Sequence, residues 1–407
     1  MSNNKQIITE NTARIEEITR RLNSINIGGE SGEGGGTIGI GTGEYWVRVI
    51  DYDGTVLDIR QLNTGDVYTL PEPPTHDGLV FDAWSCSQPI DDGKITIDDD
   101  NVMIGATYTT ASKTSEFGFV LTLKTGLDVV LNMDGVKNWG DGTIDDTNAH
   151  TYADYGEYVV SCDGSTITTN SDSGLFGQSM TAKNGYCAWA HFGKNVTAIG
   201  SYAFAYCNAL SKVLLPQNLR TIGYTCFYRC YALRAIVIPS MMTGFGDNSS
   251  CFRESFGLHS IVIPYGVSRI GDECFMTCYS LRYLVLPKTI TTLRYRAFYD
   301  CRSLSLRVVC GTLGSGCFYM CSPMYEIKAH TSVGTISSYA FDSCYGVKKY
   351  DFTSHGYVPT LEATYAFSGI NTGCKIYVPD SLYSQWIAAS NWSSYADYIY
   401  GASDMTD

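Results

Sequence analysis

The sequence has 407 residues, too many for one compact core, and 44% of them are hydrophobic, so the chain reads as globular with two to four domains. Only 17% are charged, whereas tyrosine reaches 30 and glycine 41, a balance that favours β-structure with many turns over bundles of helices. A net charge of −13 and a pI near 4.9 argue against nucleic acid or an anionic membrane as the main partner, since either would repel such a surface.

Fifteen cysteines would suggest disulfides in a secreted chain. The opening stretch, MSNNKQIITENTARIEEITRRL, has no basic region followed by an apolar one. No run of about 18 apolar residues occurs elsewhere, so no membrane insertion is expected. The expectation is a fold reached in a reducing cytoplasm, and the odd cysteine count fits free thiols better than a closed set of pairs.

Residues 1–26 carry a short heptad pattern. Ile8, Ile15 and Leu22 are seven apart, and Asn11, Ile18 and Ile25 form a second row three residues behind them. That is an a/d seam of about three heptads; isoleucine at both positions points to three strands rather than two, with Asn11 setting the register. The reading is an oligomerising helix, a trimer first, or a helix that docks on another protein. The plainer alternative is a solitary amphipathic helix lying on the chain. Residues 27–43, IGGESGEGGGTIGIGTG, form a glycine-rich linker with too little side chain to pack. They lack the Lys-Ser/Thr ending and the following helix of a phosphate loop.

In residues 44–111, YWVRVIDYDGTVLDIRQL has a turn at Asp53-Gly54 between two strand-like runs, and LPEPPTHDG is a proline-rich loop. With Gly65, Pro71, Pro74, Gly78, Phe81 and Trp84, the segment resembles the internalin B-repeat family of small β-grasp modules. Ala83 stands where that family has glycine, and Leu79-Val80 replaces its usual aromatic. The resemblance implies a stalk or adhesive spacer. The run Asp98-Asp99-Asp100 invites a calcium ion, but calcium loops space their ligands at alternate positions, so a solvated turn is the reading.

Residues 112–165 contain Trp139-Gly140-Asp141-Gly142-Thr143 and His150-Thr151-Tyr152, followed by Gly156 and Tyr158. These resemble the two signatures of the polycystic-kidney-disease domain, which implies an immunoglobulin-like sandwich. WGDG makes a tight turn at a strand end, and the tyrosine after the histidine anchors the next strand. His150 is expected to be a structural hydrogen-bonder, not a ligand or catalyst.

Residues 176–378 repeat. Phenylalanines recur at 204, 227, 252, 275, 298, 318, 341 and 367, at intervals of 23, 25, 23, 23, 20, 23 and 26. The template is clearest in IGYTCFYRCYALRAIVIP and IGDECFMTCYSLRYLVLP: Ile-Gly, a small residue before Phe, Cys three after it, then a short strand ending in Pro. A period near 23 lets one solenoid turn stack on the last. The template resembles the BspA-type leucine-rich repeat. Cys207, Cys230, Cys278, Cys301, Cys321 and Cys344 sit three residues after the Phe, while Cys226, Cys251, Cys274 and Cys317 precede it where other repeats have alanine. Interchange with alanine marks a tight buried slot, so these cysteines read as small hydrophobes rather than disulfide partners. The C-x-x-x-C spacing, with no following histidine, does not suit zinc. Residues 379–407 begin Pro379-Asp380 and turn helical with aromatic anchors, a closing cap for the open end of the solenoid.

The expected fold class is therefore mainly β: an oligomerising helix, two small β modules, then a leucine-rich-repeat solenoid with a short helical cap. No nucleophile–base pair, carboxylate constellation, phosphate loop or metal set asks for catalysis, and no cofactor is expected. Helix, tether, spacers and terminal repeats make the layout of a bacteriophage fibre, receptor-binding or decoration protein. Such a chain would sit in the virion, meet other virion proteins through its N-terminus and bind a host-surface glycan or protein. The alternative is a bacterial BspA-like surface adhesin, and a more distant one is an intracellular scaffold. Two rows are candidates for the working surface. Leu214, Val237, Val262 and Val285 form an outward apolar ladder on the strands that ought to be covered by a neighbouring subunit or module. Tyr228, Tyr299 and Tyr319, with Tyr231, Tyr279 and Tyr345 three residues further on, are the expected ligand row, because tyrosine offers a flat face and a hydroxyl at low entropic cost.

Overall fold

Two short strands and one tight turn close each repeat into a coil, and the reason lies in the residues around the repeat phenylalanine. In the coil of Phe227, strand Thr221–Ile222 leads into the turn and strand Ala235–Val237 leaves it. Thr225 and Arg229, two residues either side of Phe227, have φ of 56° and 59°. The same pair of left-handed residues recurs in the coils of Phe275 (Glu273, Thr277) and Phe298 (Arg296, Asp300). Each costs about 1 kcal/mol for a non-glycine residue. The turn gains in return a ladder of backbone bonds to the next coil: Thr225 N–H to Ser249 O at 2.7 Å, Phe227 to Cys251 at 2.8 Å and Arg229 to Arg253 at 3.1 Å. The phenylalanine rings lie flat on one another from Phe204 to Phe367, with centroids 5.2–5.5 Å apart.

The computed structural model describes residues 41–405 apart from 111–115, 124–127, 132–134, 164–186, 194–195 and 247–248. The expected N-terminal helix, its seam residues Ile8, Asn11, Ile15, Ile18, Leu22 and Ile25, and most of the glycine linker lie outside them. The described chain is mainly β, with a solenoid of about nine turns and a short helix, Tyr383–Ala388, near its end.

The cysteine three residues after most of the repeat phenylalanines does more than fill space. Its thiol donates to the carbonyl of the phenylalanine one coil back: Cys230 to Phe204 at 3.2 Å, Cys278 to Phe252 and Cys301 to Phe275 at 3.1 Å, Cys321 to Phe298 and Cys344 to Phe318 at 3.0 Å. Ser255 occupies the same slot and donates to Phe227 O at 2.7 Å. The slot therefore wants a small side chain that carries a hydrogen-bond donor. All fifteen cysteines are buried and none is in a disulfide.

One continuous core runs from Phe119 to Ile399. At its N-terminal end, strand Glu116–Leu123 pairs antiparallel with Gly156–Asp163 and with Cys187–Phe192, and the last of these pairs parallel with Lys212–Leu214 of the solenoid. The segment that carries the WGDG and HTY motifs thus shares a sheet and a core with the repeats. Trp139 is fully buried, its indole N–H donates to Asp145, and its carbonyl accepts from Tyr152 at 2.8 Å. At the other end, Trp386 and Trp392 pack on Phe352, and strand Ile399–Gly401 pairs with Lys375–Val378, so the last coil is covered.

Residues 45–110 form a separate four-stranded sheet in the order Val56–Leu62, Tyr45–Ile50, Val102–Thr110, Leu79–Cys86. The two middle strands are parallel and both outer pairs antiparallel. Val47, Val49, Val102 and Ile104 face a small core of their own with Ile95 and Ile97. The alternating residues Trp46, Ile50 and Met103 face the other way, towards the solenoid.

Candidate functional site

The repeats offer two long surfaces, the outward face of the strands and the edge formed by the phenylalanine turns. The strand face is closed. Val237, Val262 and Val285 pack against Ile50 and Met103, and Leu214 packs against Ala106 and Tyr108. Val262 is fully buried and Val285 only 5% exposed. The apolar ladder, expected to be covered by a neighbouring subunit or module, is covered by a module, residues 45–110 of the same chain. Close approach is built into the sequence at two glycines. A Cβ on Gly105 would sit 2.5 Å from a Val237 methyl, and one on Gly54 would sit 2.5 Å from Ala235 Cβ.

Polar contacts seal the rim of this contact. Ser85 Oγ donates to Ile238 O at 2.5 Å, Tyr265 N–H to Cys86 O at 2.6 Å, and the Arg48 guanidinium lies 4.0 Å over the Tyr283 ring. The aspartate run belongs to the same rim. Lys288 pairs with Asp98 at 2.9 Å and with Asp99, and Lys328 pairs with Asp99 at 2.6 Å. Burial pushes the Asp99 carboxyl up, but the two ammonium groups outweigh it and hold it below the usual range. Asp100 is buried, and desolvation, with Asn101 N–H, Lys288 and Arg307 opposing, raises it to about 7. The run expected to be a solvated turn is instead paired with lysines of the repeats, with Asp100 buried beside them. Among the described residues no group of three or more His, Cys, Asp or Glu is placed to hold a metal ion. His150 bonds Asp141 at 2.7 Å and stacks on Trp139, the structural role expected of it.

The turn edge is open and aromatic. Tyr231 stacks on Phe256 and Phe256 on Tyr279, with centroids 5.1 and 4.9 Å apart, and the Arg302 guanidinium covers the far face of Tyr279 at 4.4 Å. Tyr299 and Tyr319 stack at 4.9 Å. Tyr228 meets Tyr206 edge-on, and its hydroxyl donates to Glu254 at 3.2 Å; burial beside that carboxylate raises it to about 12, so it stays a neutral donor. The six predicted tyrosines do fall in two rows on one edge. Their flat faces, however, are largely taken by their neighbours in the ladder, so what the rows present is ring edges and hydroxyls. Tyr345 differs: it is 57% exposed, and among the described residues no other ring stacks on it. The sequence reading missed Phe256 and Arg302, which hold the same template position as Tyr231. It also missed exposed tyrosines on the other flank of the turn, Tyr224 and Tyr295 three residues before the phenylalanine and Tyr339 and Tyr365 two before it. Counting every residue one place after the cysteine slot would have found the first pair.

Buried thiols line the inside of the same turns. Desolvation raises all of them, Cys274 to about 12 and Cys207 and Cys321 well above the ordinary range, so they are protonated and unreactive. No helix among the described residues is long and apolar enough to cross a membrane.

These features define a parallel β-solenoid of the leucine-rich-repeat class. Residues 183–305 and 248–372 match the family described as BspA type Leucine rich repeat region, in 6 copies, and this part of the chain is a BspA-type repeat region. Solved structures similar to the chain include a leucine-rich-repeat protein of T. pallidum, at 22% identity over 51% of this chain and 78% of that one, TM-score 0.34. The pneumococcal vaccine antigen PcpA is similar at 13% identity over 51% and 65%, TM-score 0.36. A leucine-rich-repeat protein from Bacteroides ovatus is similar at 19% identity over 66% and 98%, TM-score 0.30. No curated protein matches the chain.

Proposed function

We propose that this is a non-catalytic recognition protein that holds a surface glycan or protein along the turn edge of its repeats. The observation that carries the reading is the division of the solenoid's surfaces: the strand face is closed by residues 45–110, while the turn edge keeps exposed aromatic rings, hydroxyls and guanidinium groups in register over many coils. Repeat proteins bind through such extended rows, and tyrosine and arginine are the side chains that carry most binding energy at interfaces.

The finer reading is a bacteriophage fibre, receptor-binding or decoration protein, trimeric and anchored through its first 26 residues, with a BspA-like bacterial surface adhesin as the alternative. It rests on the order of segments in the sequence: seam, tether, β modules, repeats. Both readings put recognition on the repeats. Replacing Tyr228, Tyr231, Tyr279 and Tyr299 with Ser is expected to reduce adsorption to bacterial cells at least tenfold with the fold retained by circular dichroism; undiminished adsorption ends the turn-edge reading. Mass spectrometry of purified virions, set against envelope fractions of bacteria, separates the phage protein from the adhesin.

A further inference from the structure

The aromatic ladder one place after the cysteine slot has a missing rung. Its successive members are Tyr231, Phe256, Tyr279, Arg302, Ser322 and Tyr345. The first four are stacked, each on the last, about one strand spacing apart. Ser322 then has no flat group to offer. Arg302 and Tyr345 are two coils apart, so a gap of roughly 10 Å, twice the spacing of neighbouring strands, opens between a guanidinium plane and an aromatic ring.

Both walls are held in place. Arg302 is fixed by Asp300 through two bonds of 2.9 Å, Nε to Oδ1 and Nη2 to Oδ2, with one face of its plane on Tyr279 and the other towards the gap. The Tyr345 hydroxyl donates to Ser343 Oγ at 3.2 Å. On its far side the Tyr345 ring lies against Gly369, where a Cβ would come within 2.9 Å of Cε1. Glycine there lets the ring lie back on the next coil and leaves its other face to the gap. The floor is Ser322, whose hydroxyl makes a long bond of 3.4 Å to Ser343 O.

We propose that this gap is a binding slot for a pyranose ring. The proposal rests on the reading of the turn edge as the ligand surface and names the chemistry at one point of it. A pyranose is a flat ring with a C–H face and a rim of hydroxyls. The gap supplies one aromatic face for the C–H side, and around it a guanidinium, the Ser322 hydroxyl and a phenol. A purely aromatic guest from a protein would use the two walls and leave these hydrogen-bonding groups idle, which is why the sugar is favoured.

The test uses the full chain, with methyl β-D-galactopyranoside and methyl β-D-glucopyranoside as probes and N-acetyltyrosinamide as the comparison. Saturation-transfer NMR is expected to show millimolar binding of at least one glycoside. Ser322→Tyr adds the missing rung; it should abolish that binding, a loss of tenfold or more, while the melting temperature is unchanged or higher. Tyr345→Ala should give the same loss. If a glycoside binds the wild type and Ser322→Tyr equally, the slot is wrong while the turn-edge reading stands. Absence of any glycoside binding overturns the pyranose assignment, and so does binding of N-acetyltyrosinamide alone that Ser322→Tyr removes. Failure of the cell-adsorption experiment with the four other tyrosines is a separate result, since none of those residues lines the gap.

Discussion

The strand face and the turn edge are built by the same device, one residue type repeated at one template position, and they end in opposite states. On the strand face the row is Leu214, Val237, Val262 and Val285, and it is buried under another part of the chain. On the turn edge the row is tyrosine, phenylalanine and arginine, and it stays in solvent. The physics of the side chains decides. Four aliphatic groups in register can only be satisfied by a cover, each gaining about 1.5–3 kcal/mol from full burial. Stacked aromatic rings bury much of their surface in one another and keep their polar atoms wet, so no cover is required.

The sharpest way to break the comparison is to uncover the strand face. Val262→Asp puts a charge at its centre and is expected to cost on the order of 3–5 kcal/mol, because the carboxylate is buried among Ile50, Met103, Val237 and Val285. Limited proteolysis should then cleave between residues 45–110 and the repeats, with solenoid circular dichroism retained. A digest identical to wild type would show that the face is not closed.

A smaller effect is expected at the rim. Asp100 has its folded-state value raised to about 7, above its ordinary 3.8, chiefly by desolvation and further by Asp98, with Asn101 N–H, Lys288 and Arg307 opposing. A raised carboxyl favours the folded state while protonated, so this contribution is complete below about pH 4 and is lost as the pH rises through 7. Asp100→Asn keeps the acceptor for Asn101 N–H and removes the titration. It should stabilise the chain at pH 8 by about 2–4 kcal/mol relative to its effect at pH 4. Urea titrations at the two pH values measure this, and equal differences at both would rule out a buried protonated Asp100.

Under the turn edge the cysteine slot gives a comparable but smaller contrast. Cys278→Ala leaves the Phe252 carbonyl without its donor and should cost about 1–3 kcal/mol, whereas Cys278→Ser, which copies Ser255, should cost less than about 1. If the two variants melt together, the thiol is only a filler. Smallest of all, reductant should leave the melting temperature unchanged, since none of the cysteines is in a disulfide. A shift of several degrees would reveal a disulfide.

The repeat phase, the phenylalanine ladder and the two rows were legible because each is a property of one coil copied at a fixed spacing. Less legible were details that depend on what sits above and below. The cysteine slot reads as a tight apolar one from its exchange with alanine one slot away, but its donor role appears only when the neighbouring coil's carbonyl is in view. The tyrosine rows read as flat binding faces, yet stacking at about one strand spacing uses those faces up.

By itself, then, the sequence determined the solenoid, its period and the outward apolar ladder, because hydrophobic periodicity and a recurring turn template are local and repeat. Only the tertiary structure decided what covers that ladder. Gly54 and Gly105 meet Ala235 and Val237 across more than a hundred residues of chain, and nothing in the local pattern of either segment specifies the other, because packing of two faces is a matter of shape in three dimensions and leaves no period in the sequence.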